Sequence, residues 1–344
     1  MFQLYDIHGR IDSIAEETAV TVGVFDGVHR GHQALLELLK LLGHTPSPNL
    51  GHTPSPLRGT PPNLGGERLT RCGEAALVVT LTSHPSFVLG RRESEYWLDD
   101  PKEHLRLLFE AGAKYVAVLP FTKEVAQLSA CEMARLLYEN LNMRSLLLGY
   151  DSRFGNKSND DFDRLPQLAT EMGFTLRRGN PFLVDNQPIS SSRIRESLTS
   201  GAVEETAALL GRPYAITGKV LHGRGVGHTL GFPTANIDLS QTRKMLPKEG
   251  VYAVKVRNEE LGIRNGGMAN LGVIPTFDIN KPSLEVHLLD FDGDLYGETV
   301  TVEFLHRLRD IVRFDSSDAL QHQLQQDLSE CQLICRQDAG GPKP

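Results

Sequence analysis

The sequence predicts an α/β domain built on a doubly wound parallel sheet, followed by a smaller, mostly β domain and a C-terminal amphipathic helix. Three observations predict it. Up to residue 150, short apolar segments alternate with amphipathic helical ones, as in a parallel sheet covered on both faces. After residue 213, strand-like segments follow one another with Gly, Pro and Asn between them, as in an antiparallel barrel or sandwich. The chain's 344 residues also exceed the roughly 100–200 of one average domain.

In the first half the strand signals are 18–25 (TAVTVGVF), 76–81 (ALVVTL), 115–121 (YVAVLPF) and 145–150 (SLLLGY). Helical signals lie between them at 33–42 (QALLELLKLL), 102–112 (KEHLRLLFEAG) and 130–141 (ACEMARLLYENL). Residues 43–66 break the pattern with GHTPSPNL, GHTPSPLR and GTPPNLGG, an imperfect Gly/Pro-rich repeat. With little apolar surface to bury, it reads as a flexible surface insertion. It follows a helix, so it is expected at the rim opposite the strand ends where ligands bind. In the second half the strand signals are YAITGKVL, GVYAVKV, GGMANLGV, SLEVHLLDF and TVTVEFLHRL, followed by the helical DSSDALQHQLQQDLSECQLI. A hinge is expected over 196–212, and a disordered tail over 337–344.

Hydrophobic residues make up 40% and charged residues 23%, which allows a core and excludes a wholly disordered, collagen-like or coiled-coil chain. The 36 Lys and Arg against 43 Asp and Glu give a net charge of −7. Without a long basic stripe, nucleic acid and anionic membrane are disfavoured as partners and a small molecule is favoured. No apolar run approaches the roughly 20 residues of a bilayer span, and MFQLYDIHGR lacks the basic-then-apolar order of a secretory signal, so the expected compartment is the cytoplasm. The four cysteines, at 72, 131, 331 and 335, have no zinc-type spacing. Cys331 and Cys335, one helical turn apart, read as buried thiols on a helix face.

The string GVFDGVHRGHQALL sets Gly23, Phe25, Asp26, Gly27, His29, Gly31 and His32 where an apolar strand gives way to a helix. Glycines there permit close backbone approach, and a helix start offers unpaired N–H groups to an anion. Imidazoles with an ordinary pKa of about 6.5 can donate to phosphate oxygens and stabilise developing charge. HxGH alone is equally a Gly-rich turn with two exposed histidines; the whole string favours a nucleotide site. It is not a GxxxxGK[ST] loop, so a Walker-type ATPase is not indicated.

A second Gly-rich stretch, GRGVGHTLGFPTANI, carries Gly223, Gly225, Gly227 and Gly231 ahead of Pro233, Thr234, Ala235 and Asn236. Such a loop can wrap phosphates with its backbone, and a hydroxyl with an amide can complete a magnesium shell that keeps several waters. In SLEVHLLDF, alternation puts Leu284, Val286 and Leu288 on one strand face and Glu285 with His287 on the other. A carboxylate fixed on a strand can take a proton from a hydroxyl that attacks a γ-phosphate. Taken alone, it is a carboxylate on the wet face of a sheet.

Together these strings resemble the bacterial bifunctional riboflavin kinase/FMN adenylyltransferases, the FAD synthetases. The likeness rests on GVFDGVHRGH, LLLGYDSRFGN and ISSSRIRE in the first half, and on GHTLGFPTANI, GVYAVKV, MANLGVIPTF and LEVHLLDFDGDLYG in the second. It spans nearly the full chain apart from the insertion and the last few residues. The resemblance implies a Rossmann-like nucleotidyltransferase domain at 1–195, a linker at 196–212, and a small antiparallel Greek-key β-barrel with riboflavin kinase activity at 213–336. It implies ATP, riboflavin, FMN and FAD as substrates or products, and Mg2+ as cofactor. The oligomeric state is left open.

By the same resemblance His29 and His32 bind the ATP phosphates and stabilise the transition state of adenylyl transfer, with Gly23, Phe25, Asp26, Gly27 and Gly31 shaping the phosphate turn. Ser191, Ser192 and Arg195 close on ATP, and Asp151 and His84 lie on the flavin side. In the barrel, Gly231, Thr234, Asn236 and Asn270 contact the nucleotide, Thr234 and Asn236 hold magnesium, Glu285 is the base, and Arg309 lines the flavin side. Four positions depart from the family's usual pattern: Leu81 and Ser83 stand for an aromatic and a proline, Ser152 for an aromatic, and Ser192 for Thr.

Overall fold

A seven-stranded sheet consists of β1 (Gln3–Asp6), β2 (Gly9–Ile11), β3 (Thr18–Val22), β4 (Ala75–Leu81), β5 (Tyr115–Leu119), β6 (Met143–Leu148) and β7 (Thr175–Arg178), of which β3 to β6 are runs rich in Val, Leu and Ala. The structure, a computed structural model, describes residues 2–44, 74–82, 96–152, 154–156, 162–223, 231–275 and 280–340. The strand order is β2-β1-β5-β4-β3-β6-β7. The last five in that order run parallel, and β1 and β2 add an antiparallel hairpin at one edge. From β3 the chain moves outward to β4 and β5, then returns to β6 and β7 on the other side. The switch point, where ligands of such sheets bind, is therefore between β3 and β6 at their carboxyl ends.

Helices α1 (Arg30–His44), α2 (Pro101–Glu110), α3 (Lys123–Gln127), α4 (Ala130–Asn140) and α5 (Leu165–Met172) connect the parallel strands. Side chains alternate across the sheet, so Val20, Leu77, Val79, Leu146 and Leu148 pack with Leu137 and Leu165. Ala19, Ala76 and Leu147 pack with Leu39 and Leu42 of α1. This two-sided burial is what the continuous apolar strands require. The expected strand 18–25 stops at Val22 because Phe25 adopts a left-handed backbone, with φ 53°. Helix α1 runs to His44, beyond the expected start of the insertion; the rest of the insertion lies outside the described residues.

The second half closes into a barrel, not a sandwich. Its strands are β10 (Tyr214–Leu221), β11 (Ala235–Ile237), β12 (Gly250–Asn258), β13 (Ile263–Pro275), β14 (Asn280–Leu288) and β15 (Thr299–Arg309), ordered β10-β11-β14-β13-β12-β15. β12, β13 and β14 follow as neighbours and β15 returns beside β12, the Greek-key pattern. Inside, Tyr252 meets Phe304 edge to face at 5.2 Å, among buried Ile216, Val254, Val286 and Val302. A minor ribbon joins β8 (Leu183–Val184) and β9 (Gln187–Pro188).

Two expectations are corrected. The supposed linker at 196–212 is helical: α6 (Ser191–Ser200) and α7 (Val203–Leu210) bury Ile194, Leu198, Val203 and Leu209. The hydroxyls of Ser197 and Thr206, 2.7 Å apart, join them. Ser190 caps α6 by accepting from Arg193 N at 3.2 Å. The supposed disordered tail begins as helix, because α8 (Ser317–Gly340) continues through it and Asp338 pairs with Lys255 at 2.7 Å; residues 341–344 lie outside the described residues. On α8, Cys331 is wholly buried and its Sγ donates to Gly267 O at 3.0 Å, while Cys335 is half-buried. The chain clusters into two compact units: Met1–Phe25, Gly31–Glu95 and Leu105–Phe182 form one, and Asp26–Arg30, Tyr96–His104 and Leu183–Pro344 the other.

Helix α4 is capped reciprocally. Ser129 Oγ accepts from Glu132 N at 3.2 Å, and Glu132 Oε2 accepts from Ser129 N at 2.8 Å. Replacing Ser129 by Ala should lower the unfolding free energy by about 1 kcal/mol, read as a lower urea midpoint at unchanged slope. An unchanged midpoint would show that the cap contributes nothing.

Candidate active sites

The first site grows out of the end of β3. Gly23 N donates to Val79 O at 3.1 Å, and a Cβ at position 23 would lie 3.0 Å from the Phe25 ring. The chain then turns through three left-handed residues, Phe25 (φ 53°), Gly27 (φ 82°) and Val28 (φ 36°), before α1 begins at Arg30. Left-handed backbone at a non-glycine residue costs about 1–3 kcal/mol, and Val28 is β-branched, so the turn has to be held by its surroundings. Phe25, Asp26, Val28 and His29 are all buried. His32, in the first turns of α1 with Gly31, meets the edge of Phe25 at 5.0 Å between ring centroids.

His29 is held neutral by its surroundings. Burial pushes its pKa down to about 4, with the charge of Arg212 acting in the same direction. At pH 7 it is a neutral imidazole, able to donate from one ring nitrogen but carrying no positive charge.

Asp26 is also corrected. The motif grouped it with the phosphate-binding residues, but its carboxylate is turned inward, only 1% exposed. Oδ1 accepts from Leu98 N at 2.8 Å, and Oδ2 pairs with Arg195 Nη2. Burial pushes the Asp26 carboxyl up, against the pull of the Arg195 charge. Turned inward onto Leu98 N and Arg195, Asp26 braces the turn. Arg195, expected to close on ATP, holds Asp26 and also donates to Ser191 O and Tyr96 O, both at 3.3 Å. Ser191 Oγ donates to Asp26 O at 3.1 Å, whereas Ser192 is exposed. Two motifs 165 residues apart therefore meet.

Asp151 is exposed, in a turn closed by Ser152 N donating to Gly149 O at 3.2 Å. It follows β6, the parallel neighbour of β3, and so stands at the same carboxyl edge as Gly23. Ser83, His84, Gly225 and Gly227 lie outside the described residues; Gly231 is described, with φ 82°.

The second site is built by strand register. Asn236 on β11 pairs with Glu285 on β14, Glu285 with Asn270 on β13, Asn270 with Val251 on β12, and Val251 with Arg309 on β15. Directly paired residues share a sheet face, so four expected site residues form one transverse row. Leu284, Val286 and Leu288 are buried on the opposite face, as the alternation predicts. Thr234 Oγ1 donates to Glu285 Oε2 at 3.5 Å. His287, given no role by the sequence, lies with Nδ1 2.8 Å from Pro233 O and its ring edge-on to Phe232, and so fixes the entry to Thr234. A Cβ at Gly223 would lie 2.0 Å from Asn236 Nδ2, so only glycine permits that approach. Arg309 sends its fork to Asp327 of α8 at 2.6–3.0 Å, which ties the helix to the end of the row.

Among the described residues no cluster of three His, Cys, Asp or Glu could hold a metal, and no helix is long and apolar enough to cross a membrane. The residues sequence reasoning missed are Asp99, His104 and Arg212. Their chemistry is ordinary and their partners are distant in the chain.

A turn at the switch point of a doubly wound sheet and a polar row around a single carboxylate on a closed barrel suit a nucleotide-using transferase with two sites. A riboflavin kinase family profile matches residues 210–335, and an FAD synthetase profile matches 11–50 and 67–193. The bifunctional riboflavin kinase/FMN adenylyltransferase of Haemophilus influenzae is 35% identical, covering 92% of this chain and 93% of its own. That of Escherichia coli K12 is 34% identical over 98% of both chains, and that of Bacillus subtilis 31% over 94% of both. The chain belongs to the bifunctional riboflavin kinase/FMN adenylyltransferase family. A crystal structure titled as a macrolide-efflux protein from Streptococcus pneumoniae is also similar, with a TM-score of 0.78 and 30% identity over 93% of this chain and 96% of that one.

The neutral state of His29 gives a pH signature. An unfolded His takes its proton near pH 6.5, while the folded one resists until about pH 4. Stability from this residue is therefore complete above pH 6.5 and lost as pH falls towards 4, on the order of 3 kcal/mol in all. The wild-type advantage over His29→Gln in unfolding free energy should shrink across that window. An advantage that stays flat from pH 7 to 4.5 would mean His29 is not held neutral.

Proposed function

We propose that the chain carries out two successive reactions, riboflavin + ATP to FMN + ADP on the barrel and FMN + ATP to FAD + pyrophosphate at the turn after β3. Within it, 1–195 carries adenylyl transfer and 213–336 the kinase step. Support for this division comes from the separate profile matches to 11–50 with 67–193 and to 210–335. The observation that carries the reading is the row in which Glu285 lies in register with both Asn236 and Asn270, beside Thr234.

In the kinase step Glu285 accepts the proton of the riboflavin 5′-hydroxyl as that oxygen attacks the γ-phosphorus. The bond to the bridging oxygen breaks and ADP leaves. Thr234 and Asn236 offer hard, half-buried oxygen donors beside a carboxylate, a set that fits magnesium retaining several waters. Bound there, the ion supplies charge neutralisation on the phosphates. Asn270 hydrogen-bonds the bound substrate, Gly231 leaves room for the phosphates, and Arg309 acts through its hold on α8.

In the second step an FMN phosphate oxygen attacks the α-phosphorus of ATP, the bond to the β-phosphate bridge breaks, and pyrophosphate leaves. His29 and His32 donate to triphosphate oxygens beside the N–H groups that begin α1. Gly23, Phe25, Gly27 and Gly31 shape that cradle, and Ser191, Ser192 and Arg195 border it. Asp151 and His84 orient the flavin.

Glu285→Gln should lower FMN formation from riboflavin by about 100-fold or more while supplied FMN is still converted to FAD. His29→Ala with His32→Ala should do the reverse. Chromatography of the flavin products reads both. A folded Glu285→Gln protein that loses both activities, or neither, would overturn the division.

A further inference from the structure

The strained turn at Asp26–Arg30 is gripped on both sides of one residue, Gly27. Gly27 N donates to Asp99 Oδ1 at 3.2 Å, and Arg212 Nη2 donates to Gly27 O at 2.9 Å. The grip is reciprocal, because Asp26 Oδ1 accepts from Leu98 N, the residue next to Asp99. Two segments 72 residues apart thus exchange carboxylate-to-amide hydrogen bonds.

Each partner is itself anchored. Asp99 is 2% exposed, and its second oxygen lies 3.0 Å from His104 Nδ1. Burial alone would raise the Asp99 pKa and lower that of His104, but the attraction between them reverses both shifts, holding the Asp99 carboxyl below and the His104 imidazole above the usual range. The segment carrying Asp99 is fastened by Trp97 N to Arg243 O at 3.0 Å, by Met245 N to Trp97 O at 2.8 Å, and by buried Lys244 to Glu103 at 2.6 Å. Arg212 lies two residues before Tyr214, the first residue of β10. All of these groups belong to the compact unit that contains the barrel.

We propose that Asp99 and Arg212 are positioning residues for adenylyl transfer: they fix Gly27 at its N–H and its carbonyl, and with it the left-handed turn that delivers His29 and the start of α1 to the triphosphate. Neither touches the reacting atoms. The proposal rests on the assignment of this turn to FAD formation.

The test uses the full-length chain and measures riboflavin kinase and FAD formation on the same preparations. Asp99→Ala and Arg212→Ala should each lower kcat for FAD formation by about 10-fold or more, with the KM for ATP changed less. Riboflavin kinase should stay within about twofold, reporting a folded barrel. Asp99→Asn keeps an oxygen for Gly27 N and should recover most of the lost kcat. If kcat for FAD formation is unchanged in the alanine variants while His29→Ala with His32→Ala abolishes it, the positioning role is wrong and the site assignment stands. FAD formation that survives the double histidine substitution would instead remove the assignment on which the proposal rests. Should Asp99→Ala fail to fold, Arg212→Ala, which leaves the Asp99 contact in place, decides by the same criteria.

Discussion

The first site depends on a buried exchange between two carboxylates and two amides, Asp26 to Leu98 and Asp99 to Gly27. A turn with Phe25, Gly27 and Val28 all left-handed does not sustain itself; relaxed backbone would carry the strand into a different helix entry. Burying carboxylates to hold it is stable only if each charge is compensated. Arg195 compensates Asp26 and His104 compensates Asp99. The cost in desolvation and strain is borne in the free protein, so the turn meets its ligand already formed. Such preorganisation lowers a barrier when charge moves during the reaction.

The barrel site solves the same problem by different means. Here the constraint is register: Glu285 is fixed because Leu284 and Val286 beside it are buried on the opposite face, and a one-residue slip would exchange the two faces. Asn236 and Asn270 then need no special backbone to flank it. What needs fastening is the segment before β11, where the contact between His287 and Pro233 O fixes the approach to Thr234. The far end of the row is tied to α8 by Arg309 and Asp327. One site is held by local strain under restraint, the other by repetitive pairing.

The same difference explains what was legible in the sequence. Parallel strands buried on both faces announce themselves as continuous apolar runs, and the alternation around Glu285 gave the correct face without any structure. The hairpin of β1 and β2 is short and polar, QLYD and GRI, and β11 has only three residues, so neither leaves a periodic signal. The two helices at 191–210 were hidden by Ser, Thr and Gly, which also mark linkers. Asp26 and Arg195 were recognised as belonging to motifs, yet their mutual pairing, which turns both inward, depends on a fold that brings together residues far apart. Asp99 and Arg212 carry no local pattern at all. The neutrality of His29 follows from burial, which no spacing reveals, and the particular reactions came from resemblance to a family, not from composition.

Amide hydrogen exchange at Gly27, followed by NMR in the full-length chain, tests most directly whether buried carboxylates hold the phosphate turn. The account predicts slow exchange in the wild type and fast exchange when Asp99 is replaced by Ala, with amides of the central strand β3 unaffected. Exchange at Gly27 in the wild type as fast as in an open loop would contradict it.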